Sequence, residues 1–277
     1  MSNDYYSIYV EPVKSIVEKG KQADKIIPSW LPVLSFLIQI TGSFILFSVA
    51  VSLAQRASIT PLYSIELSHE EELRIKAGYT LITLGALLFI SLLYILIRRR
   101  DDHFSRSLEL MEHVKDSLRA AGLANNLAKM EEILTRLKIL GERNPGLWVT
   151  TYLVVSLFSG ILGWSILFWL QLLVLIYILH FLTSDFAKHE EYERQFFYEV
   201  RKTLWSRQID FEPPQITIEP RNTLVYAIAS LITLGLFTIY WLYVVTADPN
   251  KHFYEHRRFE PSLIEALEQL FSRPITS

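Results

Sequence analysis

The chain has 277 residues, of which 51% are hydrophobic and 20% charged, with a formal net charge of -2. That balance offers no basic field to a nucleic-acid phosphate backbone and argues against such a partner; the absence of cysteine excludes disulfides, thiolate metal sites and cysteine nucleophiles. Apolar and charged residues are segregated, with charge-free blocks at Ile26 to Gln55, Ala77 to Ile97, Asn144 to Ser184 and Asn222 to Ala247, each long enough to enter a bilayer.

In chain order, residues 1–27 read as a cytoplasmic amphipathic helix along the membrane surface, with Ile8, Val13, Ile16 and Val17 alternating with Lys14, Glu18 and Lys19. No cleaved leader is apparent there, so the first span is expected to insert itself. Residues 28–97 form a first membrane hairpin. Its polar or small row Ser35, Gln39 and Gly42 shares one helix face with the spacing of a packing surface, and Ser68 and Glu71 have capping-box spacing ahead of the second span. Arg98, Arg99 and Arg100 then fix the orientation. The segment from Arg98 to Gly146 holds ten Lys and Arg against three in Gln55 to Lys76, which puts it and the N-terminus on the cytoplasmic side.

Residues 98–146 read as a cytoplasmic helical hairpin, Asp101 to Ala121 and Asn126 to Leu140, broken by Gly122; its apolar stripe makes the 101–140 arm the expected docking element for a partner. Residues 147–182 are a second membrane hairpin: 36 mostly apolar residues, roughly 54 Å as one helix against a hydrocarbon core of about 30 Å, with the bend placed at Gly160 and Gly163. Residues 183–222 comprise a helix, either interfacial or packed on the arm, and a Pro-rich linker. Residues 223–246 either cross once or dip and return at Gly235, and residues 247–277 are C-terminal amphipathic helices.

Thr183, Asp185, Lys188, His189, Arg194 and Phe196 recur 63 residues later as Thr246, Asp248, Lys251, His252, Arg257 and Phe259. Leu81 to Gly85 is echoed by Leu231 to Gly235, and His103-Phe104 by His252-Phe253, which suggests three units of an apolar hairpin followed by a charged helix. The run Thr233-Leu234-Gly235-Leu236-Phe237, Ile239 to Tyr243 and Thr246 to Asn250 resembles the prokaryotic membrane family called domain of unknown function 4234, with Phe237 where that family more often has tyrosine. The resemblance implies a prokaryotic membrane protein and transfers no activity.

Asp248, His252 and His256 stand at i, i+4 and i+8, and Asp185, His189 and Glu193 hold the equivalent positions, so each face could offer oxygen and imidazole ligands to Zn or Fe. The competing reading, favoured on sequence, makes Asp185 and Asp248 helix N-caps and leaves the histidines at the lipid interface, with no metal and no cofactor. Ser159 and His180 fall too far apart along the membrane normal for a catalytic dyad, and no span contains a charged residue. The expectation is an all-α, polytopic helical membrane protein with a cytoplasmic helical hairpin and amphipathic interfacial helices. It is expected to be non-enzymatic, in the cytoplasmic membrane with its N-terminus inside, and to act as an oligomeric scaffold, a membrane-shaping protein or a subunit of a larger complex. The alternatives are a channel lined by Ser35, Gln39, Thr80, Thr83 and Gln171, and a metal-binding protein using Asp248, His252 and His256.

Overall fold

In the computed structural model, which describes residues 2–58, 66–162 and 166–272, the step from Ile97 into Arg98, Arg99 and Arg100 falls inside one uninterrupted helix. No glycine or proline lies between Gly85 and Gly122, so nothing in the backbone stops the helix where the composition changes. The described residues form nine helices and no strand: α1 (Ser2–Tyr9), α2 (Glu11–Ala23), α3 (Leu31–Ala57), α4 (His69–Ala120), α5 (Leu127–Leu140), α6 (Pro145–Leu162), α7 (Ile166–Trp205), α8 (Thr223–Ile232) and α9 (Phe237–Ser272). The expected boundaries after residues 97, 182 and 246 are thus changes of composition along α4, α7 and α9, not joints. By length and composition α3, α4 and α7 could each cross a membrane. The chain divides into two compact units, Met1–Ile27 with Leu96–Ser277, and Pro28–Ile95.

The continuity of α7 and α9 overturns the N-cap reading of Asp185 and Asp248, because mid-helix there are no orphan N–H groups to cap. Asp185 instead accepts from Arg100 (2.8 Å) and Arg143 (2.8 and 3.0 Å), and Asp248 from Arg221 (2.9 and 3.2 Å). Pro249, inside α9, cannot donate to the carbonyl of Val245. Arg99 takes up that freed acceptor, reaching Val245 O at 3.4 Å, and also donates to Thr246 O at 3.3 Å.

In the larger unit α6 and α7 are tied by Gln171, which donates to the Tyr152 hydroxyl at 3.0 Å. Gly160 sits in the last turns of α6, and the expected bend at Gly163 lies outside the described residues. The 10 residues of α8 cover only about 15 Å before the chain reverses. Gly235 makes the reversal at φ 92°, a left-handed conformation that penalises a Cβ, and its N–H returns to Ser230 O at 2.7 Å. The Tyr226 ring then packs on Phe237 and Trp241 at centroid distances of 5.2 and 5.4 Å. Trp241, unlike an interfacial anchor, is fully buried and donates to Thr183 Oγ1 at 2.8 Å.

One core gathers the remaining helices of this unit. Counted 7, 11 and 15 residues past a histidine, α4, α7 and α9 each bury apolar side chains: Leu110, Val114 and Leu118; Phe196, Val200 and Leu204; Phe259, Leu263 and Leu267. Each contributes roughly 1.5–3 kcal/mol relative to exposure. The same core takes Val13 and Ile16 of α2, so the apolar face expected on the membrane surface is used inside the protein. It also takes Met130, Ile133, Leu134 and Leu137 of α5, so the stripe expected to receive a partner on the 101–140 arm is filled by the chain's own helices. Residues 183–205 pack into this core as well.

In the smaller unit α3 lies against the apolar part of α4. Ser35 Oγ donates to Pro32 O (2.7 Å) and Gln39 Nε2 to Ser35 O (3.2 Å), so the polar row is satisfied within α3. At Gly42 an added Cβ would lie 2.6 Å from the carbonyl oxygen of Gly78, which makes this the close approach of the two helices. Thr80 and Thr83 are exposed, and Thr80 Oγ1 returns to Lys76 O at 2.8 Å. Ser35, Gln39 and Gly42 thus lie on a packing face and Thr80 and Thr83 on an outer face. Ser68 and Glu71 close the capping box reciprocally at 2.9 and 3.2 Å. Gly42→Leu should therefore destabilise this hairpin by about 1–3 kcal/mol, whereas Thr80→Leu should leave it within about 0.5 kcal/mol of the wild type; thermal unfolding in mild detergent measures both.

Candidate metal centre

Three long helices each deliver one histidine to a common point: His103 from α4, His189 from α7 and His252 from α9. One turn further on, Glu193 of α7 and His256 of α9 face the same point, as i+4 neighbours on a helix must. None of the five is more than 1% exposed. His252 Nε2 lies 3.1 Å from His103 Nε2, 3.2 Å from His256 Nε2 and 3.3 Å from Glu193 Oε2, and His256 Nε2 lies 2.9 Å from Glu193 Oε2. The ligand-type atoms of His103, His189, Glu193 and His252 all fall within 4.8 Å of one another. Bonds of about 2.0–2.1 Å to one ion place neighbouring ligand atoms about 2.9–3.4 Å apart, the spacing of the tighter four groups.

Proton placement follows from the outer partners. His103 Nδ1 meets Asp24 Oδ1 at 2.7 Å, His252 Nδ1 meets Glu190 Oε1 at 3.1 Å and His256 Nδ1 meets Glu260 Oε1 at 2.7 Å. An ionised carboxylate only accepts, so each of these Nδ1 atoms carries a proton; Nε2 of His103 and His252 then presents a lone pair, whereas Nε2 of His256, 2.9 Å from Glu193 Oε2, also carries a proton in the ion-free chain, one that a bound ion would displace. Arg106 Nη2 also approaches His256 Nδ1 at 3.1 Å, but the shorter carboxylate contact decides, and Arg106 donates to Asp24 (2.7 Å) and Glu260 (2.6 Å). Glu193 is held from behind by the Ser107 hydroxyl at 2.6 Å. Carboxylates orienting imidazoles toward a shared centre are the usual outer shell of a metal site.

Charge makes the same point. Asp24, Glu190, Glu193 and Glu260 lie in a region closed to solvent, where Arg106 pairs with Asp24 and Glu260 and the buried Arg99 acts on Asp24, so the carboxylates outnumber the guanidinium groups. A buried charge of that sign requires a compensating cation. In the ion-free chain the compensation falls on His256: burial opposes its protonation, but the Glu193 charge and the hydrogen bonds it donates to Glu193 and Glu260 raise its pKa to about 10. Burial also works to raise Glu193, yet His256 holds it well below the usual carboxylate range. His103 is pushed well down by burial and then by the neighbouring histidines, and His189 falls to about 3, chiefly by burial.

Of the residues singled out from sequence, His189, Glu193, His252 and His256 come together here, while Asp185 and Asp248 are drawn into arginine pairs. The interfacial placement of these histidines is overturned: their helices pack face to face, so the polar stripe points into the protein rather than at lipid. His103 was visible only as the His-Phe echo of His252-Phe253, and Asp24, Glu190, Glu260, Arg106 and Ser107 join from positions without a motif. His180 stands apart, bonded through Nδ1 to Thr223 Oγ1 at 2.8 Å, and Ser159 remains in α6.

The sequence profile of the family described as Domain of unknown function (DUF4234) matches residues 221–272, the stretch that contains His252, His256 and Glu260. No curated protein sequence and no solved structure matches the chain.

The pKa shifts set a pH profile for protein kept ion-free with a chelator. His256, raised from 6.5 to about 10, contributes stability that is complete below pH 6.5 and lost as pH rises toward 10. His189, lowered from 6.5 to about 3, works in the opposite direction, with stability lost as pH falls from 6.5 toward 3. Thermal unfolding in detergent should accordingly show a maximum near pH 6.5, and His256→Gln should flatten the alkaline side; a wild-type profile already flat on that side would contradict the assignment.

Proposed function

We propose that this is an integral protein of the cytoplasmic membrane whose larger helical unit binds one first-row transition-metal ion at His103, Glu193, His252 and His256. The observation that carries the reading is the convergence of the Nε2 atoms of His103, His252 and His256 at 3.1 and 3.2 Å, with Glu193 Oε2 beside them and, once a bound ion displaces the His256 Nε2 proton, no donor among them. Acceptors at such distances repel unless a cation lies between them. Three imidazoles and a carboxylate suit zinc, iron or copper and disfavour magnesium or calcium, which take oxygen ligands.

The ion's role is structural. All four ligands are closed off from solvent, the character of a structural rather than a catalytic centre, so the protein is non-enzymatic on this reading. The ion bridges α4, α7 and α9 and, through Asp24 and His103, fixes the chain just after α2. The arginine run Arg98 to Arg100 favours a cytoplasmic side for this unit and the N-terminus. Exposed apolar surface on α3 and α7, such as Phe44 and Leu173, faces lipid or other membrane subunits, which fits a scaffold or a component of a larger assembly.

Elemental analysis of protein purified in mild detergent should find about one zinc, iron or copper ion per chain. His252→Ala should lower the affinity at least about 100-fold, comparable to the loss of a ligand or its outer partner. Asp248→Asn, which touches only Arg221 and Lys251, should keep the ion. A wild-type protein free of metal after reconstitution with each of these ions would refute the proposal.

A further inference from the structure

His189 differs from the other imidazoles of the cluster. Its buried Nε2 has no hydrogen-bond partner and lies 4.0 Å from Glu193 Oε2, outside the tighter four-group set. Among the described residues no carboxylate hydrogen bond fixes its ring as Asp24, Glu190 and Glu260 fix the others; it is held by stacking on Phe104 at 4.0 Å and 11°. An unpaired buried nitrogen costs roughly 1–3 kcal/mol, so its retention asks for a role. The same ring lines a cavity of about 130 Å³ bounded by α4, the end of α5 and α7, whose wall also carries the carboxylates of Asp101 and Glu142 and the exposed Ser105. That volume holds an ion with part of its hydration shell. The one cation on this wall, Lys138, is paired with Glu112 at 2.7 Å.

We propose that this cavity is the port by which a divalent transition-metal ion reaches the buried centre, with His189 as the first imidazole to take it and Glu193 the group that receives it next. The inference rests on the metal-binding reading above and adds the path to it. Glu142 attracts the cation at the mouth, beside Asp101, which Arg100 and the Arg143 backbone N–H already hold; the His189 lone pair exchanges for water, and the ion moves across the 4.0 Å gap into the site where Glu193 lies within 3.3 Å of His252 and His256. The reverse sequence releases it.

Stopped-flow mixing of ion-free protein in detergent with cobalt(II), followed by its d–d absorption, tests the port. Because the chain has no native cysteine, Ser105→Cys can be blocked after folding with a maleimide. The blocked protein should take up cobalt at least tenfold more slowly than Ser105→Ala while reaching the same final absorption. Ser105→Phe and His189→Leu should slow uptake likewise and still bind one ion. Uptake by the blocked protein within twofold of Ser105→Ala would overturn the port and leave the metal centre standing. A wild-type protein that develops no cobalt absorption would overturn both.

Discussion

The larger unit turns on one electrostatic constraint: four carboxylates and four imidazoles meet two buried arginines, Arg99 and Arg106, in a region closed to solvent. Such a group of acceptors cannot be buried without a cation, and the ion-free chain meets the requirement by protonating His256 against the cost of burial. A metal ion meets it better, because one charge then serves several lone pairs at once. The outer carboxylates Asp24, Glu190 and Glu260 make that possible by holding their imidazoles in the tautomer that presents Nε2 inward.

The helices that supply these ligands are long: α4 has 52 residues, α7 has 40 and α9 has 36. Apolar sequence at one end and the centre at the other belong to the same continuous helices. α9 keeps this continuity in spite of Pro249, and Arg99 satisfies the Val245 carbonyl that the proline leaves free. The ion pairs of Asp185 with Arg100 and Arg143, and of Asp248 with Arg221, lie one turn before the histidines and fix the rotation of α7 and α9.

Much of the fold could be read from the pattern of residues, because apolar blocks, the arginine cluster after Ile97 and the reversal at Gly235 are local signals. The helix lengths could not, since a change of composition without a glycine or proline looks like an end and is not one. The site was half visible. His189, Glu193, His252 and His256 share spacing within α7 and α9, but whether such a stripe meets lipid or another helix depends on packing. Asp24, His103 and Glu190 reach the centre only through contacts between residues 62 to 149 positions apart, which no local motif encodes.

The central claim is that imidazole nitrogen surrounds a bound ion inside this helical unit. X-ray absorption at the K-edge of the ion in the purified, reconstituted protein addresses it directly. The account predicts a first shell of nitrogen and oxygen at about 2.0–2.1 Å, with the outer-ring scattering of about three imidazoles, reduced by one imidazole in His252→Ala. A shell of oxygen alone, without imidazole scattering, would contradict it.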